Sequence, residues 1–446
     1  MKEGIGTETE NLIGTERGFA SEAARQVLEA PLYTAGIALY RFGVRIAGLG
    51  NEKARKLDDG LRETKRILAE KLHPGDRVIW IHAASLGEFE QGRPLIEMLK
   101  KRNPEYKILL TFFSPSGYEV RKNFPLADCV CYLPFDTPTR VRRFLDAVQP
   151  EMAIFVKYEI WRNYLHELYK RHIPTYLISA VFRPDQFFFK RSGAWYSDWL
   201  RWYTRIFVQD EGSRRLLESI RVTDVEVAGD TRFDRVADIR SNAKEIPELA
   251  RFTRRDSDDR PVVIMAGSSW PEDEAVYTDW INSFSSVKLV VAPHEFNPER
   301  LERLRRSFTN GAVLLSELKE NPAAGDDKQV LIIDCFGLLS SAYAYCDIAY
   351  VGGGFGAGLH NINEPAVFGV PVIYGPNNAK FIEAQEMAAL GGGLPIHGRE
   401  GFETWAGRLA FDPIERHKRG RWAEEYIQEK QGATQRVYDA IFKKYN

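Results

Sequence analysis

The chain has 446 residues, enough for two or three domains, and its 44% hydrophobic and 28% charged residues are those of a folded globular protein. A formal net charge of -1 excludes any global attraction to nucleic acid, so a basic surface would have to be local. Four cysteines (Cys129, Cys131, Cys335 and Cys346) exclude a disulfide framework in so long a chain and fit a reducing compartment.

Residues 1–30 carry early acids (Glu3, Glu8, Glu10) and no compact apolar core, so they read as a flexible extension rather than a signal peptide. Residues 31–50 differ. The run Leu32–Tyr40 is apolar, and Arg41 and Arg45 then interrupt Phe42, Val44 and Ile46. Two arginines near the middle of the window disfavour a spanning helix, which needs about 20 mostly apolar residues. An amphipathic helix lying on a membrane surface suits the segment, with Tyr33, Tyr40 and Phe42 as anchors; the alternative is a helix packed on the protein body.

From Val78 onward, short apolar runs alternate with longer amphipathic stretches. The runs Val78–Ala83, Ile108–Phe112, Cys129–Leu133, Met152–Val156, Thr175–Ser179, Ile206–Val208 and Val225–Ala228 predict strands, with helices between them such as Arg93–Arg102 and Thr139–Val148. This rhythm is that of parallel βαβ units. In it, Cys129 and Cys131 share one strand face and read as small buried hydrophobes. The polar stretch Arg235–Arg260 reads as a helix bridging two domains, and the triplet Asp256-Ser257-Asp258 within it has the spelling of a metal site but not the strand-end position. Strands resume at Val262–Ala266, Lys288–Ala292, Val330–Asp334, Ile348–Val351 and Val370–Tyr374, and Pro413–Tyr445 reads as helical. The expected architecture is α/β: a domain over 51–235, a second over 236–415, and a C-terminal segment 416–446 packing back on the first. Two doubly wound, Rossmann-like sheets would face each other across a cleft, with ligands at the carboxyl ends of the strands.

The residues at those ends are therefore the informative ones. Gly267-Ser268-Ser269, before a helix start, reads as a phosphate cradle or a plain helix cap. His294 follows the next strand, and Phe336-Gly337-Leu338 forms a turn able to offer backbone groups to a base. Gly352–Gly358 signals a close backbone approach, yet it does not match G-x-G-x-x-G, which argues against a nicotinamide or flavin site. It leads into His360, Asn361 and Glu364, with a helix expected from Asn361 and a carboxylate placed to accept from ribose hydroxyls. In the first domain, Ser85, Gly87 and Glu88 follow the first strand, and Glu88 is a candidate general base or a simple cap. Lys157 and Glu159 follow another strand, either in use or paired with each other or with neighbours. Arg183–Arg205 interleaves aromatics with cations and suits a lipid surface, single-stranded nucleic acid or a buried helix; the apolar N-terminal segment favours lipid. Arg232, where the first domain ends, could meet a departing phosphate or form an interdomain ion pair with Asp230 or Asp234.

From about Leu32 to the C-terminus the chain resembles the 3-deoxy-D-manno-octulosonic acid (Kdo) transferases. The resemblance is carried by His82–Glu88 (HAASLGE), Glu159-Ile160-Trp161 with Asn163, Gly229–Asp234, Gly267–Glu272, Pro293-His294-Glu295 and His360–Pro365 (HNINEP). It implies a GT-B fold and inverting, metal-free transfer of Kdo from CMP-Kdo to the lipid A precursor (lipid IVA), at the cytoplasmic face of the inner membrane. It also implies that the protein is peripheral or N-terminally anchored there. By resemblance the base falls on Glu88, the phosphate contact on Arg232, and CMP contacts on Ser268, His294, the Phe336–Leu338 backbone, Asn361 and Glu364. Gly267, Ser269 and His360 complete the expected donor side. Ser85, Gly87, Lys157, Glu159 and Arg183 form the expected acceptor side. No cofactor, metal or nucleic acid is expected. The chain departs from the family pattern at Lys157, where a second acid is common, and at Arg162, where proline is common. Two other functions fit the same architecture: a nucleotide-sugar epimerase, which would not need the amphipathic segment, and a non-catalytic membrane-associated binding protein, which would not need Glu88.

Overall fold

The computed structural model describes residues 30–190, 193–254, 260–356 and 358–442, except for the side chains of Phe188, Ala194 and Trp195. The expected extension lies outside the described residues up to position 29, as do Asp256, Ser257 and Asp258. Contacts divide the chain into two compact units, Met1–Thr231 with Thr434–Asn446, and Arg232–Ala433.

The first unit is built on seven strands: β1 (Val78–Ala83), β2 (Lys107–Phe112), β3 (Cys129–Tyr132), β4 (Met152–Val156), β5 (Thr175–Ala180), β6 (Arg205–Val208) and β7 (Val225–Val227). They lie in the order β3-β2-β1-β4-β5-β6-β7, with every pairing parallel. The sheet is buried on both faces, which is why its strands read as continuous apolar runs rather than alternating ones. On β1, Val78 and Trp80 enter one core and Ile79 and Ile81 the other. Cys129 and Cys131 are buried together with Trp80. The helix Ala433–Phe442 closes the opposite face with Val437 and Ile441, and its Tyr438 hydroxyl donates to Asn103 Oδ1 at 2.7 Å.

The second unit repeats the plan. Its strands are β8 (Val262–Ser269), β9 (Val287–Pro293), β10 (Ala312–Leu314), β11 (Val330–Ile332), β12 (Ile348–Val351), β13 (Val372–Tyr374) and β14 (Gly393–Pro395). The order is β10-β11-β9-β8-β12-β13-β14, again all parallel. The strands β10 and β14 are absent from the sequence reading: β10 runs straight into the helix Leu315–Glu320, and β14 is Gly-Leu-Pro, which has little strand propensity.

Several expected boundaries shift. Arg235–Arg260 is not one helix: Arg232–Ser241 and Pro247–Thr253 are separate. The C-terminal stretch likewise breaks into Pro413–Lys430 and Ala433–Phe442, at Gly432, whose φ is 90°. The aromatics of Arg183–Arg205 are mostly internal. Trp199, Leu200 and Tyr203 are buried in the first unit's core, and Tyr196, Trp202 and Phe189 pack against it. The side chains of Phe188 and Trp195, and Arg191, lie outside the described residues. Phe187 remains half-exposed.

Residues 30–47 form a helix. Tyr33 sets an edge-on contact to Trp199 at 5.1 Å and donates its hydroxyl to Asp136 Oδ2 at 2.7 Å, while Tyr40 meets Phe135 at 6.0 Å. Its outer face is apolar and bare: Leu32, Leu39, Phe42, Ile46 and Leu49 are between 53% and 90% exposed. Among the described residues no helix is long and apolar enough to cross a membrane.

Asp136 is completely buried and also accepts from the backbone N–H groups of Asn163 and Tyr164, each at 3.0 Å. Burial pushes its carboxyl up to about 6, against the pull of Tyr33, those two N–H groups and Arg162. A raised carboxyl favours the protonated fold, so its contribution to stability is full below about pH 4 and is lost as pH rises through about 6. Tyr33→Phe removes one donor to the carboxylate and is expected to move the Asp136 titration higher still. Carboxyl-carbon NMR between pH 3 and 8 checks this; an Asp136 titrating near 4 in both proteins refutes it.

Candidate functional site

In the second unit, the residues after β8, β9, β11 and β12 converge. The expected Gly267–Ser269 turn is instead the end of β8, where the register with β9 shifts between Gly267 and Ser269. Ser268 absorbs the shift with φ of 52°, a left-handed conformation costly for a residue with a Cβ. Ser269 turns inward and shares a hydrogen bond with the Tyr277 hydroxyl at 2.8 Å, so only Ser268 of the two hydroxyls stays partly open. Gly267 is pressed against Tyr343, where any Cβ would overlap the phenol oxygen.

Three rings stack beside this bulge. The Trp270 indole lies on the His294 ring, 4.3 Å apart and 22° from parallel, and His294 lies 4.9 Å from His360. Trp270 Nε1 donates to His360 Nε2 at 3.3 Å, which leaves the other ring nitrogen to carry the proton of the neutral imidazole. Burial, and then the neighbouring His294, lower the His360 pKa and favour that neutral form.

The glycine-rich bend does approach something closely, but its partner is the protein itself. A Cβ on Gly352 would strike the Ser268 carbonyl, on Gly353 the Gly358 carbonyl, and on Gly354 the backbone of Gly375. Asp273 holds the bend. Its fully buried carboxylate accepts from the backbone N–H groups of Gly353 (2.9 Å) and Trp270 (3.0 Å) and from the Tyr350 hydroxyl (2.8 Å). Sequence reasoning stopped at Glu272 and missed Asp273; the N3 acid of a capping box after Trp270 was the available signal.

The helix expected from Asn361 is a four-residue turn, Asn363–Ala366. Asn361 instead caps it, accepting from the Asn363 N–H at 3.1 Å and donating to Glu364 Oε1 at 3.2 Å. The other Glu364 oxygen accepts from Ser340 at 2.7 Å, which ties the loop after β12 to the loop after β11. Arg235, half-buried, faces Glu364 electrostatically and also escaped the sequence reading. Gly337, with φ of 86° and open space where a Cβ would stand, presents its backbone freely; Leu338 packs on the core. Phe336 is 83% exposed and touches Phe296 at 4.5 Å. Arg232 opens the helix Arg232–Ser241 and pairs with Glu383 at 3.4 Å, a partner not foreseen from sequence.

In the first unit, Glu88 sits in the first turn of the helix Leu86–Arg102, just past β1, and its carboxylate accepts from the Ser85 hydroxyl. It is partly exposed, and no cation pairs with it among the described residues. Gly87 is exposed in the same turn. Lys157 and Glu159 do not pair. Lys157, with φ of 73°, lies over the Tyr158 ring at 5.4 Å. Glu159 is buried, accepting from the Trp161 indole and lying 3.1 Å from His82 Nε2, while His82 Nδ1 faces Thr111 Oγ1 at 2.9 Å. Glu159 therefore knits the ends of β1 and β4 together. Arg183 is exposed, its N–H donating to Gln186. Among the described residues, no group of three His, Cys, Asp or Glu side chains is arranged to hold a metal ion.

These two parallel sheets, each with its polar residues at the strand ends, have the GT-B type of fold. A UDP-GlcNAc 2-epimerase from Neisseria meningitidis, solved bound to UDP-GlcNAc, superimposes with a TM-score of 0.58 over 82% of this chain and 100% of its own, at 15% identity. MurG from Acinetobacter baumannii gives 0.51 over 82% and 99%, at 14% identity. Such similarities speak for the fold alone. Sequence comparison goes further. The family model described as 3-deoxy-D-manno-octulosonic-acid transferase (kdotransferase) matches residues 59–235. The 3-deoxy-D-manno-octulosonic acid transferase of Haemophilus influenzae is 27% identical over 405 residues, covering 88% of this chain and 93% of the relative. The class is thus a glycosyltransferase of GT-B fold. Within it, residues 59–235 match the Kdo transferase family model, and most of the chain is similar to Kdo transferases.

Removing the Asp273 carboxylate tests the bend's support. Asp273→Ala strands three donors in a buried place and is expected to cost about 3 kcal/mol, read by urea unfolding. A loss below about 1 kcal/mol contradicts that role.

Proposed function

We propose that the protein transfers Kdo from CMP-Kdo to a hydroxyl of the lipid A precursor, with inversion and without a catalytic metal, at the cytoplasmic face of the inner membrane. The observation that carries the reading is Glu88: a carboxylate in a helix's first turn, held by a neutral hydroxyl and by no cation among the described residues. Such a group can accept a proton from an attacking hydroxyl if it comes within hydrogen-bond reach. Ser85 orients it, and the exposed Gly87 leaves room at its side. A single displacement by that hydroxyl inverts the sugar carbon.

On the donor side, the leaving CMP phosphate needs positive charge. Arg232 supplies it, held in place by Glu383, and the half-open Ser268 bulge adds a hydroxyl and backbone groups. Glu364 and Asn361 accept and donate to the ribose, His294 and His360 line the sugar-phosphate side, and the Phe336–Leu338 backbone meets the base. Lys157, Glu159 and Arg183 belong to the acceptor side of this reading, Glu159 through His82 and Trp161. The bare apolar stripe of helix 30–47 supports a protein lying on a membrane surface. Epimerases share the fold, so the fold does not choose between them; the family match over residues 59–235 supports transfer.

Two substitutions separate the roles. Glu88→Gln is expected to lower kcat at least about 100-fold while leaving CMP binding unchanged, measured by mass spectrometry of the lipid product and by calorimetry. Normal turnover would remove Glu88 from the reaction. Glu364→Ala is expected to weaken CMP about tenfold, and equal affinity would end the ribose assignment.

A further inference from the structure

Beside the helix 30–47 runs a groove of about 710 Å³, closed on its other side by the helices Pro138–Val148 and Arg162–Lys170. Its two walls differ in chemistry. The wall from helix 30–47 is small and uncharged, with Thr34, Ala35 and Ala38 facing in. The facing wall carries Arg142, Arg162 and Lys170. Glu167 is the one carboxylate among the lining residues, and Arg171 already pairs with it at 2.9 Å. Arg142 and Lys170 have no ion-pair partner among the described residues. Arg162 is buried to 7% exposure, with the rings of Trp199 and Trp202 at 5.9 and 5.8 Å from its guanidinium, and buried Asp136 interacts with it electrostatically.

Position on the helix adds a second constraint. At about 3.6 residues per turn, Thr34 and Ala38 lie between the face that Tyr33 and Tyr40 press on the protein and the bare stripe of Leu32, Leu39, Phe42 and Ile46, and Ala35 lies within that stripe. The groove therefore opens beside the stripe. Cations on one wall match a phosphate, and methyl groups on the other match the start of an acyl chain.

We propose that this groove seats one anionic phospholipid of the membrane surface on which the stripe lies, its phosphate against Arg142, Lys170 and Arg162 and its first methylenes against Ala35 and Ala38. The inference rests on the membrane-surface reading above and assigns the groove no part in sugar transfer.

The test compares binding of the full chain to vesicles of phosphatidylcholine and of phosphatidylcholine with one fifth phosphatidylglycerol. The wild type is expected to prefer the anionic vesicles. The double substitution R142A/K170A should cut that preference about tenfold or more. Ala38→Trp fills the groove without changing any charge and should cut it as well, whereas Leu39→Ser with Phe42→Ser should weaken binding to both vesicles. Full preference in Ala38→Trp would overturn the proposal, since diffuse surface charge then suffices. So would a preference that inorganic phosphate at a few millimolar abolishes. Kdo transfer to detergent-dispersed acceptor is measured on the same proteins. Transfer by the wild type with an undiminished preference in Ala38→Trp sinks the groove alone. A groove-dependent preference without transfer sinks the enzymatic reading alone.

Discussion

A parallel sheet buried on both faces admits almost no polar side chain along its strands, so polar chemistry is forced out beyond their ends. The loops there are irregular, and their backbone groups need partners. Each unit meets this need with a buried aspartate. Asp273 gathers two N–H groups and a tyrosine hydroxyl, and Asp136 does the same with Asn163, Tyr164 and Tyr33. A carboxylate suits the task because it only accepts, through two oxygens with several lone pairs. Its burial is expensive, and the raised pKa of both residues records that cost.

The same demand explains the strain at the strand ends. Ser179 and Ser268 both have positive φ, and each stands where its sheet slips register, β5 against β6 and β8 against β9. In both cases a second hydroxyl follows within hydrogen-bond reach of the bulge region: Ser179 meets Thr231 at 2.8 Å, and Ser269, next to Ser268, meets Tyr277 at 2.8 Å. A bulge turns one residue outward and its neighbour inward. In the second unit this leaves Ser268 partly open and Ser269 buried, a distinction invisible in the string Gly-Ser-Ser.

What the sequence made legible follows from how much of the chain each feature uses. Strands buried on two faces read as apolar runs, and most were plain; β10 runs without a break into the helix Leu315–Glu320, and β14 is Gly-Leu-Pro, so neither stood out. His294, His360 and Glu364 stood out because strand ends in such folds face ligands. Asp273 and Glu383 did not, because they sit inside helices and act on groups far along the chain. The glycines Gly352–Gly354 announced a close approach without naming the partner, since a carbonyl of the protein and a phosphate demand the same missing Cβ. Aromatics mixed with arginines were ambiguous for a related reason. Trp199 and Tyr203 fill the core while Arg183 stays in solvent, and composition alone cannot sort one from the other.

Helix 30–47 shows how little the fold itself requires of a segment that carries so much apolar surface. Tyr33 and Tyr40 and the bond to Asp136 fix its inner face to the first unit. Its outer face would be costly to leave in water, since scattered apolar side chains are ordinary on a surface but a continuous stripe is not. Leu32, Leu39, Phe42, Ile46 and Leu49 form such a stripe, and among the described residues no helix is long and apolar enough to cross a bilayer. In the membrane-surface reading proposed above, the interface would cover that stripe while water remained on the helix's flanks. The cations Arg142 and Lys170 stand on the next wall, so the covering surface also meets positive charge at its edge. Apolar stripe and cationic rim together describe a lipid leaflet with anionic heads more closely than they describe another protein face, whose buried centre is depleted in charge.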